Sequence, residues 1–262
     1  MRLVFLSVIV TLFIPLRAQP PGAVVAVGGG GTTAAIVART LELAGGTEAV
    51  VVVLPQSSAV EGAGDSSVKM WLDAGAKTAR KVHFAEPGAK AALEAATLIW
   101  MPGGDQNRFM KAIAGTGLDD VIRTRQRAGA VVGGTSAGAA VLSALMMTGE
   151  ADLQSLASGK TVLAKGLAIL PDAIVDQHFL RRQRSNRLLS AVIGHPTMLG
   201  VGIDEGTAAI FREGRIEVVG RSAVVVFDAR GAKVEKGAPG DVAAGTGIRT
   251  SVLRDGMVYD IR

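Results

Sequence analysis

Val131-Val132-Gly133-Gly134-Thr135-Ser136-Ala137-Gly138-Ala139-Ala140 joins a β-branched run to an Ala-rich run through a G-x-S-x-G, residues 134–138. A short apolar run of this kind reads as a buried strand, and the alanines after it favour a helix. Small neighbours let a serine at such a bend adopt a strained backbone and project its hydroxyl, while a helix N-terminus favours developing negative charge. The plainer reading is a serine that only caps a helix. Either way, a strand-turn-helix elbow belongs to an α/β sheet, and this sets the expectation for the flanking chain.

Working outward, β-branched runs alternate with segments at helical spacing, the pattern of βαβ units around a mostly parallel sheet. Strands are expected at 23–27, 49–54, 81–84, 98–101 and 130–132. Helices are expected at 33–43, 68–74, 89–96, 107–114, 119–127 and 137–147. Beyond Gly200 the texture becomes hairpin-like, with strands at 207–211, 215–219 and 223–227 and Glu213-Gly214 as a turn. These three read as an antiparallel extension of the same domain. No internal repeat of fixed period is visible.

The glycine run Gly28-Gly29-Gly30-Gly31 invites a nucleotide-binding reading, but a G-x-G-x-x-G from Gly28 needs glycine where Thr33 stands. No Walker-type Gly-Lys-Ser/Thr occurs either, so the run reads as a tight strand-to-helix turn and no cofactor is expected.

Composition bounds the answer further. At 262 residues with 48% hydrophobic and 19% charged side chains, the chain fits a single globular domain over residues 19–262. The formal charge of +5 is scattered apart from residues 181–187, and aromatics are only 4%, which argues against a nucleic-acid platform. Cysteine is absent, which excludes thiolate catalysis, Cys-ligated zinc and disulfides; no metal-ligand cluster stands out. Met1-Arg2 followed by the apolar stretch Leu3 to Leu16 has the form of a signal peptide over residues 1–18. Its roughly 14 apolar residues fall short of the ~20 a spanning helix needs. A secreted or periplasmic protein is therefore expected, with no stable membrane association after cleavage.

A serine nucleophile needs a base, and the chain has only His83, His178 and His195. His83 ends a strand in Lys-Val-His-Phe and His195 lies in the turn Gly-His-Pro, whereas His178 follows the apolar run Ala173-Ile174-Val175 in Asp176-Gln177-His178-Phe179. That places it at the rim of a sheet, where open α/β proteins put their sites. A carboxylate should orient the imidazole and stabilise its cation. Glu205 in Gly202-Ile203-Asp204-Glu205 is the first choice, Asp204 the alternative and Glu150 a distant third.

Four motifs together carry a family resemblance: Gly-Gly-Asp-Gln at 103–106, Gly-Gly-Thr-Ser-Ala-Gly-Ala at 133–139, Asp-Gln-His-Phe followed by Arg182, Arg184 and Arg187, and Gly-Ile-Asp-Glu at 202–205. Their order and approximate spacing resemble those of the cyanophycinases, in the aspartyl dipeptidase group of serine peptidases. The resemblance spans most of residues 24–227. It implies a mostly parallel sheet flanked by helices, like that of class I glutamine amidotransferases (flavodoxin-like), with the antiparallel C-terminal extension. It implies a triad of Ser136, His178 and Glu205, with the amides of Ala137 and Gly104 as oxyanion donors. It further implies a substrate pocket of Gln106, Asp176, Gln177, Arg182, Arg184 and Arg187, no metal or organic cofactor, and a homodimer.

The implied substrate is cyanophycin, a polyaspartate whose side chains carry arginine, cut to β-aspartyl-arginine. A unit bearing carboxylate and guanidinium calls for the cations and acids named. On a helix Arg184 and Arg187 lie about 60° apart but Arg182 about 140° or more from either, so Arg182 is expected in the turn before the helix. The rival readings are a dipeptidase for ordinary aspartyl peptides and a non-catalytic exported binder of acidic or arginine-bearing polymers. Two features depart from the family pattern: the Gly28–Gly31 run lacks a following acid, and the Gly-rich tail from Gly237 has no counterpart.

Overall fold

The computed structural model describes residues 20–151, 156, 157, 159, 161–235 and 237–262; the expected leader, residues 1–18, lies outside them. The first half alternates strand and helix: β1 (Val24–Val27), α1 (Ala34–Leu43), β2 (Val50–Val53), α2 (Asp65–Asp73), β3 (Thr78–Lys81), α3 (Ala89–Ala95), β4 (Leu98–Met101), α4 (Gln106–Ile113), α5 (Leu118–Arg127), β5 (Val131–Thr135) and the single-turn α6 (Ala137–Ala140). The five strands lie parallel in the order β3-β2-β4-β5-β1. Every residue of β1 and β4 is buried, because helices or a second sheet cover both faces and the strands read as continuous apolar runs.

Side chains alternate between the two faces at the strand period of two. Val25, Val51, Val53, Trp100 and Val131 pack with Ile36, Val37 and Leu41 of α1 and with Trp71 of α2. Trp71 and Trp100 meet edge to face at 5.1 Å. The opposite side chains, including Val24, Val52, Ile99 and Val132, pack against α3, α4, α5 and the second sheet. Thr33 caps α1 by accepting from the Ile36 amide, and Asp105 caps α4 by accepting from Asn107 and Arg108.

The second half comprises β6 (Leu145–Ala151), β7 (Thr161–Lys165), β8 (Ala173–Gln177), α7 (Ser185–Gly194), β9 (Leu199–Ile203), β10 (Thr207–Arg212), β11 (Arg215–Gly220), β12 (Ala223–Asp228), β13 (Lys233–Glu235), β14 (Ala244–Thr246), β15 (Arg249–Arg254) and β16 (Val258–Asp260). Strands β10, β11 and β16 extend the central sheet antiparallel from β1. Strands β15-β12-β9-β8 form a separate four-stranded sheet.

The structure differs from the sequence-based expectations in the helix expected over 137–147 and the strand expected at 81–84, and it adds detail to the C-terminal part. The helix expected over 137–147 stops at Ala140, and the chain re-enters a strand at Leu145. There the carbonyls of Val141 and Leu142 accept from the amides of Leu167 and Leu170 rather than from the next helical turn. Val141, Leu142, Met146 and Met147 are all buried, and a run apolar on every side does not distinguish helix from strand. The strand expected at 81–84 lies at Thr78–Lys81, in register with Val50–Val53. β12 is antiparallel as expected and joins the four-stranded sheet beside β9: Val224 and Val226 face the main core and Val225 and Phe227 face α7, so it needs cover on both sides. The tail from Gly237 adds strands to both sheets, β15 against β12 and β16 against β11. Among the described residues, no helix is long and apolar enough to cross a membrane.

Candidate active site

Ser136 follows β5 and precedes α6, with φ 54° and ψ −114°, a positive φ that a non-glycine residue adopts only under constraint from its surroundings. The bend is tight because α6 packs directly on β4: a Cβ added at Gly138 would lie 1.9 Å from the Met101 carbonyl oxygen. This is why the motif needs its second small residue.

His178 comes immediately after β8, also with positive φ, and its amide donates to the Gly28 carbonyl at 2.7 Å. Glu205 lies two residues past the end of β9. Three strand ends from two sheets thus converge. Ser136 Oγ is 2.9 Å from His178 Nε2, and His178 Nδ1 is 2.6 Å from Glu205 Oε1. The His178 side chain is 11% exposed and Glu205 33%, so the imidazole is shielded while its carboxylate still meets water.

The Gly28–Gly31 run is the wall behind this pair. A Cβ at Gly29 would strike the His178 ring at 2.3 Å, and one at Gly30 the Glu205 side chain at 2.5 Å. Sequence reasoning saw a tight turn here and missed its packing role. The signal was available: glycines beyond what a turn requires mark a close approach.

Asp204, the alternative carboxylate, is engaged elsewhere. It accepts from the amides of Leu180 and Arg181 and from Ser222 Oγ at 2.7 Å. Burial alone would raise its pKa, but the donors from Arg181 and Ser222 carry it below the ordinary aspartate value. The Glu150 side chain lies outside the described residues.

Gly103 borders Ser136, its added Cβ falling 3.9 Å from Ser136 Oγ, and Gly104 follows it on the same turn. Among the described residues, the amides of Gly104 and Ala137 donate to no other backbone group.

The remaining residues gather behind His178, but not all on a surface. Asp176 is 0% exposed and Arg187, reaching from α7, is 2% exposed. Arg187 Nε donates to Asp176 Oδ2 at 2.7 Å, and its Nη2 donates to Oδ1. Arg184 stands at the N-cap position of α7 without capping it by its side chain; its Nη1 donates to the backbone and side-chain oxygens of Gln177, both at 2.6 Å, and lies 3.6 Å from Asp176 Oδ1. Burial, and then the neighbouring Arg187, push its pKa down to about 10. Gln106 donates to the carbonyls of Met147 and Thr148, joining the Gly103–Asp105 turn to β6. Arg182 is exposed and sits in the turn before α7, where the helical geometry requires it. The structure therefore brings Asp176, Gln177, Arg184 and Arg187 into one network, with Arg182 outside it.

Comparison with known proteins supplies the family. The profile of peptidase family S51 matches residues 24–219. A cyanophycinase from Geminocystis herdmanii is 40% identical over 194 residues, 71% of each chain. One from Synechococcus elongatus is 37% identical over 231 residues, covering 84% of this chain and 72% of that protein. Among solved structures, a peptidase from an acI-B1 Actinobacterium superposes with a TM-score of 0.68 at 18% identity, over 94% of this chain and all of that one. A putative Peptidase E from Listeria monocytogenes gives 0.56 at 16% identity, over 77% of this chain and all of that one. At such identities the structural likeness bears on the fold alone, whereas the sequence matches bear on kinship and chemistry. The profile match across both sheets and the identity shared with the cyanophycinases make the protein a peptidase hydrolase: the chain belongs to peptidase family S51.

Proposed function

We propose that the chain is an exported serine peptidase that hydrolyses cyanophycin to β-aspartyl-arginine through an acyl-enzyme on Ser136. The observation that carries this reading is the continuous hydrogen-bond chain from Ser136 Oγ through His178 to Glu205. His178 Nε2 takes the hydroxyl proton as Ser136 attacks the aspartyl carbonyl, while Glu205 holds Nδ1–H and stabilises the imidazolium. The amides of Ala137 and Gly104 receive the oxyanion; losing one such donor typically costs about 10² to 10³ in turnover. His178 then returns the proton to the leaving amine, and water, deprotonated by the same base, releases the acyl group.

Substrate recognition divides by exposure. Asp176 and Arg187 are too enclosed to meet a ligand directly and act as the floor that fixes the end of β8 beneath His178. Exposed Arg182 is suited to a substrate carboxylate, and the buried Arg184, Gln177 and Gln106 support the surface around it through their internal hydrogen bonds. The substrate class is drawn from the cyanophycinases that the chain is similar to. Removal of residues 1–18 would deliver the enzyme to the periplasm or the medium, and the family resemblance adds a homodimer.

The test is to incubate the purified protein with cyanophycin and, separately, with ordinary aspartyl dipeptides, and to identify the products by mass spectrometry. Release of β-aspartyl-arginine from cyanophycin is expected. Cleavage of the ordinary dipeptides with cyanophycin left intact would assign the dipeptidase activity instead.

A further inference from the structure

Next to the nucleophile, a hollow of about 380 Å³ is bordered by Gly103 and Thr135 on one side and by Pro55, Ser58 and Ala63 on the other. Those last three residues are also a wall of a larger hollow of about 760 Å³. The two hollows adjoin across that shared wall, the first beside Thr135 and Gly103 and the second along Arg108, Lys111 and Ala112 of α4. The second is basic, lined by Lys81, His83, Arg108 and Lys111, with Glu61 on the rim. Lys81 is paired with Asp65 at 2.5 Å. The side chains of Arg108 and Lys111 are exposed and make no ion pair among the described residues. Two cations thus face this hollow uncompensated within it except by Glu61.

Their placement follows from α4. Arg108 and Lys111 are three residues apart on one helix and so share a face. At ~1.5 Å per residue, Lys111 stands ~9 Å along the axis from the Asp105 cap, next to Gly104. An extended chain advances ~3.3 Å per residue, so more than one substrate unit is needed to follow α4 from its Asp105 end to Lys111. The Asp105 carboxylate, occupied in capping the amides of Asn107 and Arg108, is not aimed at the larger hollow.

We infer that the Arg108–Lys111 face of α4 is a distal subsite that binds carboxylates of substrate units beyond those held at Ser136. The inference rests on the cyanophycin reading of the site, because that polymer carries a carboxylate and a guanidinium on each unit. The fork of Arg108 suits the carboxylate and Lys111 adds a point charge, while Glu61 can meet a guanidinium on the same unit. The enzyme should then prefer long chains to short ones for a reason separable from its chemistry.

The experiment compares kcat/KM for long cyanophycin with that for a two-unit fragment. It uses the wild type, an Arg108→Ala/Lys111→Ala double variant, an Arg108→Glu/Lys111→Glu double variant and a remote control, Arg254→Ala. All the substituted positions are exposed. The long-to-short ratio should fall about tenfold in the alanine variant and further in the glutamate variant, and should hold in the control. Added salt should erode the wild-type preference for long chains and affect the alanine variant less. A wild type that cuts both substrates, with the ratio unchanged in both double variants, overturns the subsite alone. A wild type that cuts neither overturns the cyanophycin reading and the subsite with it.

Discussion

The four-stranded sheet carries a buried aspartate with two arginines at each of its two ends, and the two clusters are built for different work. Asp176 ends β8 next to Gln177 and His178, and its partners Arg184 and Arg187 are 8% and 2% exposed in their side chains. Asp228 ends β12, which runs antiparallel to β9, and so lies at the opposite end of the strands, level with Leu199. It is 1% exposed, yet Arg230 and Arg249 are 35% and 67% exposed. Tyr259 Oη also donates to Asp228, and Arg230 reaches on to the Ile261 carbonyl. The first cluster is sealed and borders His178; the second ties the C-terminal strands β15 and β16 to the body of the domain. Burial of the carboxylate is common to both, so the difference lies in what the arginines are attached to.

Removing the charge at each end should break the symmetry. Asp176→Asn leaves Arg187 buried without its counter-ion, a change that typically costs about 3–5 kcal/mol of stability. It also loosens the strand end that carries His178, and a displacement of ~1 Å there can cost about 10² in kcat. Urea unfolding and steady-state kinetics should therefore both register it. Asp228→Asn should cost less, about 2 kcal/mol by urea unfolding, because its arginines can turn to water, and kcat/KM should stay near the wild-type value. Equal loss of activity in the two variants would erase the distinction.

The smallest expected effect is in acid. Hydrogen bonds from Arg230, opposed by burial and joined by those from Arg249, hold the Asp228 carboxyl far below its ordinary value. A depressed carboxylate pKa stabilises the fold above the unfolded-state value of about 4, and that contribution fades as pH falls below it. Thermal melts of wild type and Asp228→Asn should therefore converge below about pH 4 and separate above it. A difference that is constant from pH 3 to pH 7 would show that the charge is not what matters.

Much of this was legible in the residues, and the rest was hidden for physical reasons. The convergence of Ser136, His178 and Glu205 is readable because each follows a short apolar run, and open α/β sheets gather such ends on one rim. The parallel half of the central sheet is readable because strands buried on both faces leave continuous apolar runs between amphipathic helices. The sealing of Asp176 by Arg187 is not, since nothing in the spacing of the two says that a helix folds back over its own preceding strand. The transfer of β12 to a second sheet is hidden too, because an all-apolar strand states that it is covered without stating by what. The glycines behind His178 and Glu205 read as a turn until the side chains that press on them are in place.

Catalysis as proposed depends on the Ser136 hydroxyl, and the most direct test is the kcat/KM of Ser136→Ala on cyanophycin beside that of the wild type, with folding checked by circular dichroism. A folded variant is expected to fall by about 10⁶, the loss typical when a serine nucleophile is removed. A folded variant within tenfold of the wild type would contradict nucleophilic catalysis at this site.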